Sequence, residues 1–171
     1  MNTQALEKFA QSSRRRLIKQ VSTKLRLINS EGSAARRENP EAIRNLEKQI
    51  ANHGEQQVIE KNAYIWFNRL CALRFMDANG YTRIAVVSPK QDQTQPEILV
   101  EAKSGYFDDS LTPTEAQNQV LSFIDRSSPS NNPESEAYRL LLVSACNYYH
   151  KAMPYLFARI SDFTELLMPD N

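Results

Sequence analysis

The sequence predicts a mainly α fold: a multi-helix bundle around a central buried helix at about 55–79, with at most a small β-hairpin near 81–103. Three observations predict it. The stretch YIWFNRLCALRFMDANGY, residues 64–81, is apolar around the whole helical wheel. Residues 3–29 carry a 3.6-residue apolar repeat. Later segments open on Asn-Pro or Thr-Pro, which pair a capping side chain with a proline at the first helical position.

The first helix is expected from about Thr3 to Asn29, with Leu6, Phe9, Ala10, Leu17, Val21 and Ile28 on one face. Lys8, Arg15, Lys19 and Arg26 fall within about 40° of one another on the opposite face, and Arg16 flanks them. Residues 30–38, SEGSAARRE, read as a polar connection. Asn39-Pro40 opens a second helix with a narrow stripe of Ile43, Leu46 and Ile50, closed by His53-Gly54.

In the central helix, Trp66, Leu70 and Leu73 form one stripe, Phe67, Cys71 and Phe75 a second, and Ile65, Ala72 and Met76 a third. Such a helix is expected to be buried on every side. Asn68, Arg69, Arg74 and Asp77 then need partners, Arg74–Asp77 being one candidate pair and a domain junction the alternative for the arginines. Asn79-Gly80 supplies the stop.

The β-branched run in YTRIAVVS, before Pro89, suggests a strand. Residues 96–103, PEILVEAK, fit either its hairpin partner or a helix start. Thr112-Pro113-Thr114-Glu115 has the form of a capping box for a helix to about Arg126. Asn132-Pro133 begins another, apolar along Ala137, Leu140, Leu141, Ser144, Ala145 and Tyr148. A short helix with Leu156, Phe157 and Ile160 is expected after Pro154, and residues 163–168 are apolar enough to need a surface to pack on.

With 171 residues, 41% hydrophobic and 24% charged, the chain is expected to form one helical domain, 1–171, in the cytoplasm. No apolar run reaches the roughly 20 residues of a membrane span. Cys71 and Cys146 lie in apolar helical patterns and read as core residues, with no metal site expected. The net charge of +1 conceals an asymmetry. Residues 1–51 hold eleven Lys/Arg against five Asp/Glu, whereas residues 90–171 hold six against twelve.

Little catalytic chemistry is visible. Glycine stands only at 32, 54, 80 and 105, too scattered for a phosphate loop, and neither His53 nor His150 neighbours a nucleophile. Glu101-Ala102-Lys103 after an apolar run has the form of a Mg²⁺-dependent nuclease strand, with Asp77 or Asp92 as the upstream acid. The alternative is a solvated pair on a helix. Lys8, Arg15, Arg16, Lys19 and Arg26 are the candidate nucleic-acid contacts, spaced along the axis by about 10 Å or less. The opposing reading is an ordinary solvated helix face.

The segments MNTQALEKFAQSSRRRLIKQV, YIWFNRLCALRFMDANGYTR and YRLLLVSACNYYHKAMPYLF together resemble the N-terminal region of PglX, the adenine-specific DNA methyltransferases of BREX phage-exclusion systems. The resemblance implies a parent enzyme that moves a methyl group from S-adenosylmethionine to adenine N6. It also implies that catalysis resides elsewhere, because no Asn-Pro-Pro-Tyr occurs in this chain. The chain then reads as a helical N-terminal accessory or scaffold domain, not an enzyme by itself. Its expected partners are the methyltransferase domain of the parent protein, double-stranded DNA and other BREX components, with no membrane. Residues 163–168 would pack on, or lead into, the catalytic domain. A docking-only domain is the alternative.

Overall fold

The computed structural model describes residues 3–30, 32–158, 160 and 163–169. Among them are eight helices and no strand, the mainly α architecture expected. These are α1 (Thr3–Asn29), α2 (Ala34–Glu38), α3 (Pro40–His53), α4 (Glu55–Ala78), α5 (Glu97–Lys103), α6 (Thr114–Ile124), α7 (Pro133–Tyr149) and α8 (Phe163–Leu166). None of them is long and apolar enough to cross a membrane. The chain gathers into two compact units, 1–68 with 160–171 and 69–159, so α4 contributes its first part to one and its second part to the other.

The first unit is built on α1. Leu17, Val21, Leu25 and Ile28 lie on one side of that helix and are buried, as are Ile43 and Leu46 of α3 and Val58, Ile59, Ala63 and Trp66 of α4. Gly54 ends α3 at φ 84°, where a side chain would be strained, and its N–H reaches the Ile50 carbonyl at 2.8 Å. The polar connection after α1 contains the single-turn-scale helix α2, tied to α3 through Arg36 and Glu47 at 3.0 Å. Residues 163–168 pack within this unit. α8 lies against α3, Leu167 and Met168 are buried, and the Trp66 indole donates to the Thr164 carbonyl at 3.0 Å.

The second unit packs α6 on α7 with α5 against both. Asn132 caps α7 as expected, its side chain accepting the Ser135 N–H at 3.3 Å. The buried side of α7 is Ala137, Tyr138, Leu141, Leu142, Ala145 and Cys146, rotated from the predicted stripe so that Tyr148 is exposed. α6 begins one residue later than the capping box requires. Pro113 holds the cap position without a side-chain bond, and Thr112 is buried, its carbonyl accepting from Gln117 Nε2 at 2.8 Å. After Pro154 a turn closes on the Met153 carbonyl in place of a helix, and Phe157 is buried.

Three expectations are corrected here. The hairpin near 81–103 does not form, because carboxylates take the amides its ladder would use. Glu97 accepts Ala85 N–H at 3.0 Å, and Asp77 accepts those of Val86, Val87 and Ser88 at 2.9–3.0 Å. Pro96 instead leads into α5, which starts on Glu97 N–H to Ser88 O and Ile98 N–H to Ala85 O, both 3.0 Å. Secondly, α4 is not buried all round. Its buried residues form one stripe through Asn62, Trp66, Arg69, Leu73 and Met76, while Tyr64 and Phe75 are 63% and 60% exposed. An apolar wheel states what a helix can bury, not how many neighbours the chain supplies. Thirdly, Cys146 is a core residue but Cys71, on the uncovered side of α4, is exposed.

Candidate nucleic-acid interface

α1 presents the basic stripe as the wheel predicts. Lys8, Arg15, Arg16, Lys19 and Arg26 are all exposed, opposite the buried Leu17–Ile28 side. Among the described residues no carboxylate pairs with any of the five. Arg26 leans back on the Thr23 hydroxyl at 3.3 Å, and Arg14, off the stripe, meets Glu60 at 3.8 Å. At 1.5 Å per residue, Lys8, Arg15, Lys19 and Arg26 span about 27 Å of axis. A row of cations on a helix anchored from behind along Leu17–Ile28 can follow a phosphate backbone. Phosphate contacts of this kind position a protein on DNA without reading bases. Leu6 and Phe9, expected inside with Leu17, are 53% and 56% exposed, so the first turns of α1 lack a covering layer among the described residues.

The nuclease arrangement is not assembled. Glu101 and Lys103 lie two residues apart on helix α5, hence about 200° apart around it. Glu101 pairs with Lys90, which also meets Glu97 at 3.0 Å; the two carboxylates hold the Lys90 ammonium above its ordinary pKa. Lys103 donates to Glu134 at 2.7 Å and Gln95 Nε2 donates to the same carboxylate at 2.9 Å, and these two bonds hold the Glu134 carboxyl below its ordinary range. Asp77 is committed to its loop, and Asp92 sits at φ 65° in the polar turn before α5. Among the described residues no three His, Cys, Asp or Glu side chains gather as ligands of one ion. His150 Nδ1 bonds the Phe157 carbonyl at 2.7 Å and serves the turn.

The arginines of α4 are used internally. Arg69 is buried at 1% exposure and donates to the Ala158 carbonyl at 2.7 Å. Arg74 reaches Asp77 through a serine rather than directly: it donates to the Ser88 hydroxyl, which donates to Asp77 at 2.8 Å. The Asp77 clamp was not foreseen from the residues. Its signal is an acid at the end of a helix, before Asn-Gly and a run of amides that has no strand partner.

No known protein-family profile matches the chain. Two curated proteins do. The adenine-specific methyltransferase BrxX of Escherichia coli O9:H4 (strain HS) is 35% identical over 128 residues, 74% of this chain and 10% of that protein. The adenine-specific methyltransferase PglX of Lacticaseibacillus casei (strain Zhang) is 31% identical over 112 residues, 64% of this chain and 9% of that protein. The chain is thus homologous to a segment of adenine-specific methyltransferases. It carries the PglX-like region of the BREX methyltransferases, and it spans about a tenth of the length of the relatives it matches.

Proposed function

We propose that this chain is an accessory segment of a BREX adenine-N6 DNA methyltransferase and that α1 lays its basic stripe along duplex DNA. The observation that carries the reading is the row Lys8, Arg15, Lys19 and Arg26, exposed and without carboxylate partners among the described residues, on a helix whose other side is buried from Leu17 to Ile28. Similarity to BrxX and PglX supplies the context in which DNA is the natural polyanion.

In this reading the chain performs no methyl transfer itself. The rest of the parent enzyme binds S-adenosylmethionine and carries the catalytic groups, and the work is done beside host DNA in the cytoplasm. The four cations of the row displace counterions from the phosphates, which raises affinity for any sequence and leaves recognition of the site to other parts of the enzyme. Reversing Lys8, Arg15, Lys19 and Arg26 to Glu tests the reading: duplex binding is expected to disappear with its salt dependence, and undiminished binding overturns it.

A docking-only role is the second reading, favoured by the uncovered Leu6 and Phe9 on the same helix. The methyltransferase domain or another BREX component would then cover α1. In that case DNA binding by the isolated chain is absent from the outset.

A further inference from the structure

We propose that residues 3–16 of α1 form a folding arm, helical when laid on duplex DNA and frayed in its absence, carried by the anchored half that begins at Leu17. The inference rests on the reading of α1 as a DNA-contacting helix, and the closing experiment separates the two. No residue from Thr3 to Arg16 is buried, whereas Leu17, Val21, Leu25 and Ile28 are. Helices in proteins owe most of their stability to packing of an apolar face, and an unsupported helix shorter than about 12–15 residues is marginal in water. The arm has such a face in Leu6 and Phe9, but both are exposed.

Charge also works against the arm. Residues 3–19 hold Lys8, Arg14, Arg15, Arg16 and Lys19 against Glu7 alone. Arg15 and Lys19 are four residues apart and Arg16 and Lys19 three, so both pairs set like charges side by side on the helix. Glu7 accepts from Gln11 Nε2 at 3.1 Å. Arg14 meets Glu60 of α4 at 3.8 Å with both side chains exposed, a pair that contributes little. Among the described residues no carboxylate pairs with Lys8, Arg15, Arg16 or Lys19. Ser12 turns its hydroxyl back to the Phe9 carbonyl at 3.0 Å, a local bond of the kind that slightly weakens a helix.

The balance is nevertheless close enough for a ligand to tip. Nucleation is the costly step of helix formation, and the anchored half supplies the nucleus, so each further turn toward Thr3 adds at little cost. A phosphate backbone along the row neutralises the repulsion that opposes those turns. Lys19 and Arg26, on the anchored half, meet the duplex first, and Lys8 and Arg15 follow as the arm winds up. A second copy of the chain brings the same cations together and supplies no such neutralisation. Folding on binding divides the affinity by the fraction of arm already helical, so affinity becomes sensitive to helix propensity at positions that touch no phosphate.

Amide hydrogen exchange of the 171-residue chain, with and without a duplex of about 20 base pairs at low salt, reads the arm directly. Amides of residues 17–28 are expected to be protected in both states. Those of residues 7–16 are expected to exchange rapidly without DNA and to slow by on the order of ten-fold or more with it. Ala10 and Ser13 lie on the side of the helix away from the cation row and give a check that leaves charge unchanged. Ala10→Gly with Ser13→Gly is expected to weaken duplex binding by about five- to ten-fold, and Ser13→Ala to tighten it by about two-fold. A helix already rigid before binding shows neither effect. Arm amides as protected as those of 17–28 before DNA is added overturn the proposal. So do bound duplex without added protection of the arm, and an affinity unmoved by the glycine pair; either result leaves the DNA reading standing. Absence of any duplex binding sinks the DNA reading and the proposal with it.

Discussion

Asp77 holds Ser88 twice, accepting its backbone N–H at 3.0 Å and its hydroxyl at 2.8 Å. The same carboxylate takes the amides of Val86 and Val87, so one side chain replaces the ladder that residues 81–88 would otherwise need. Val86 and Ser88 are buried, at 0% and 6% exposure, and would lose these acceptors without water to replace them. Asp77→Ala is expected to cost about 2–4 kcal/mol, the scale of several buried donors left partly unsatisfied. Asp77→Asn keeps the shape but turns an amide toward donors and should lose a similar amount. Urea denaturation measures both, and unchanged midpoints would show that the clamp is dispensable.

The two thiols should behave oppositely. Burial pushes the Cys146 thiol up to about 12 from 9.0, with Arg69 acting weakly the other way, whereas Cys71 is open to reagent. One thiol is therefore expected to react in the native protein near pH 8, and the second only after unfolding.

The same burial fixes a pH dependence. A thiol whose folded pKa is raised binds more protons folded than unfolded, so its contribution is complete below pH 9.0 and is lost as pH climbs toward about 12. Tyr149, pushed up to about 12 by burial, adds to the loss above pH 10.0. Thermal stability should accordingly fall across this alkaline window, and Cys146→Ala should flatten the fall. A melting temperature independent of pH from 9.0 to 12 would contradict it.

Trp66, the chain's single tryptophan, is fully buried and bonded to Thr164. Trp66→Phe keeps most of the ring volume but removes the donor, with an expected cost of about 0.5–1.5 kcal/mol for the hydrogen bond. Trp66→Ala opens a cavity and should cost about 3–5 kcal/mol. Circular-dichroism melts separate the two, and an unchanged melt for Trp66→Phe would mean that the Thr164 contact is irrelevant.

Local chemistry made the helix ends readable. Pro40 and Pro133 start helices because their fixed φ suits the first turn, and Gly54 and Gly80 end them because only glycine takes the left-handed turn cheaply. The cationic stripe of α1 was legible for a similar reason, since wheel geometry depends on no other part of the chain. What escaped were features decided by partners distant in sequence. Ile98–Val100 suits a strand or a helix equally, and the choice fell to Glu97 and Asp77 taking the neighbouring amides. Exposure of Cys71, Phe75, Leu6 and Phe9 was invisible because periodicity shows which faces are apolar, not which are covered.

Binding of the 171-residue chain to duplex DNA across a salt series tests the central claim most directly. Four phosphate contacts predict that log K falls with log salt at a slope of about −3 to −4, and the Lys8→Glu, Arg15→Glu, Lys19→Glu, Arg26→Glu variant should abolish both binding and slope. No binding at low salt, or an unchanged slope in the variant, would contradict α1 as a DNA-contacting arm.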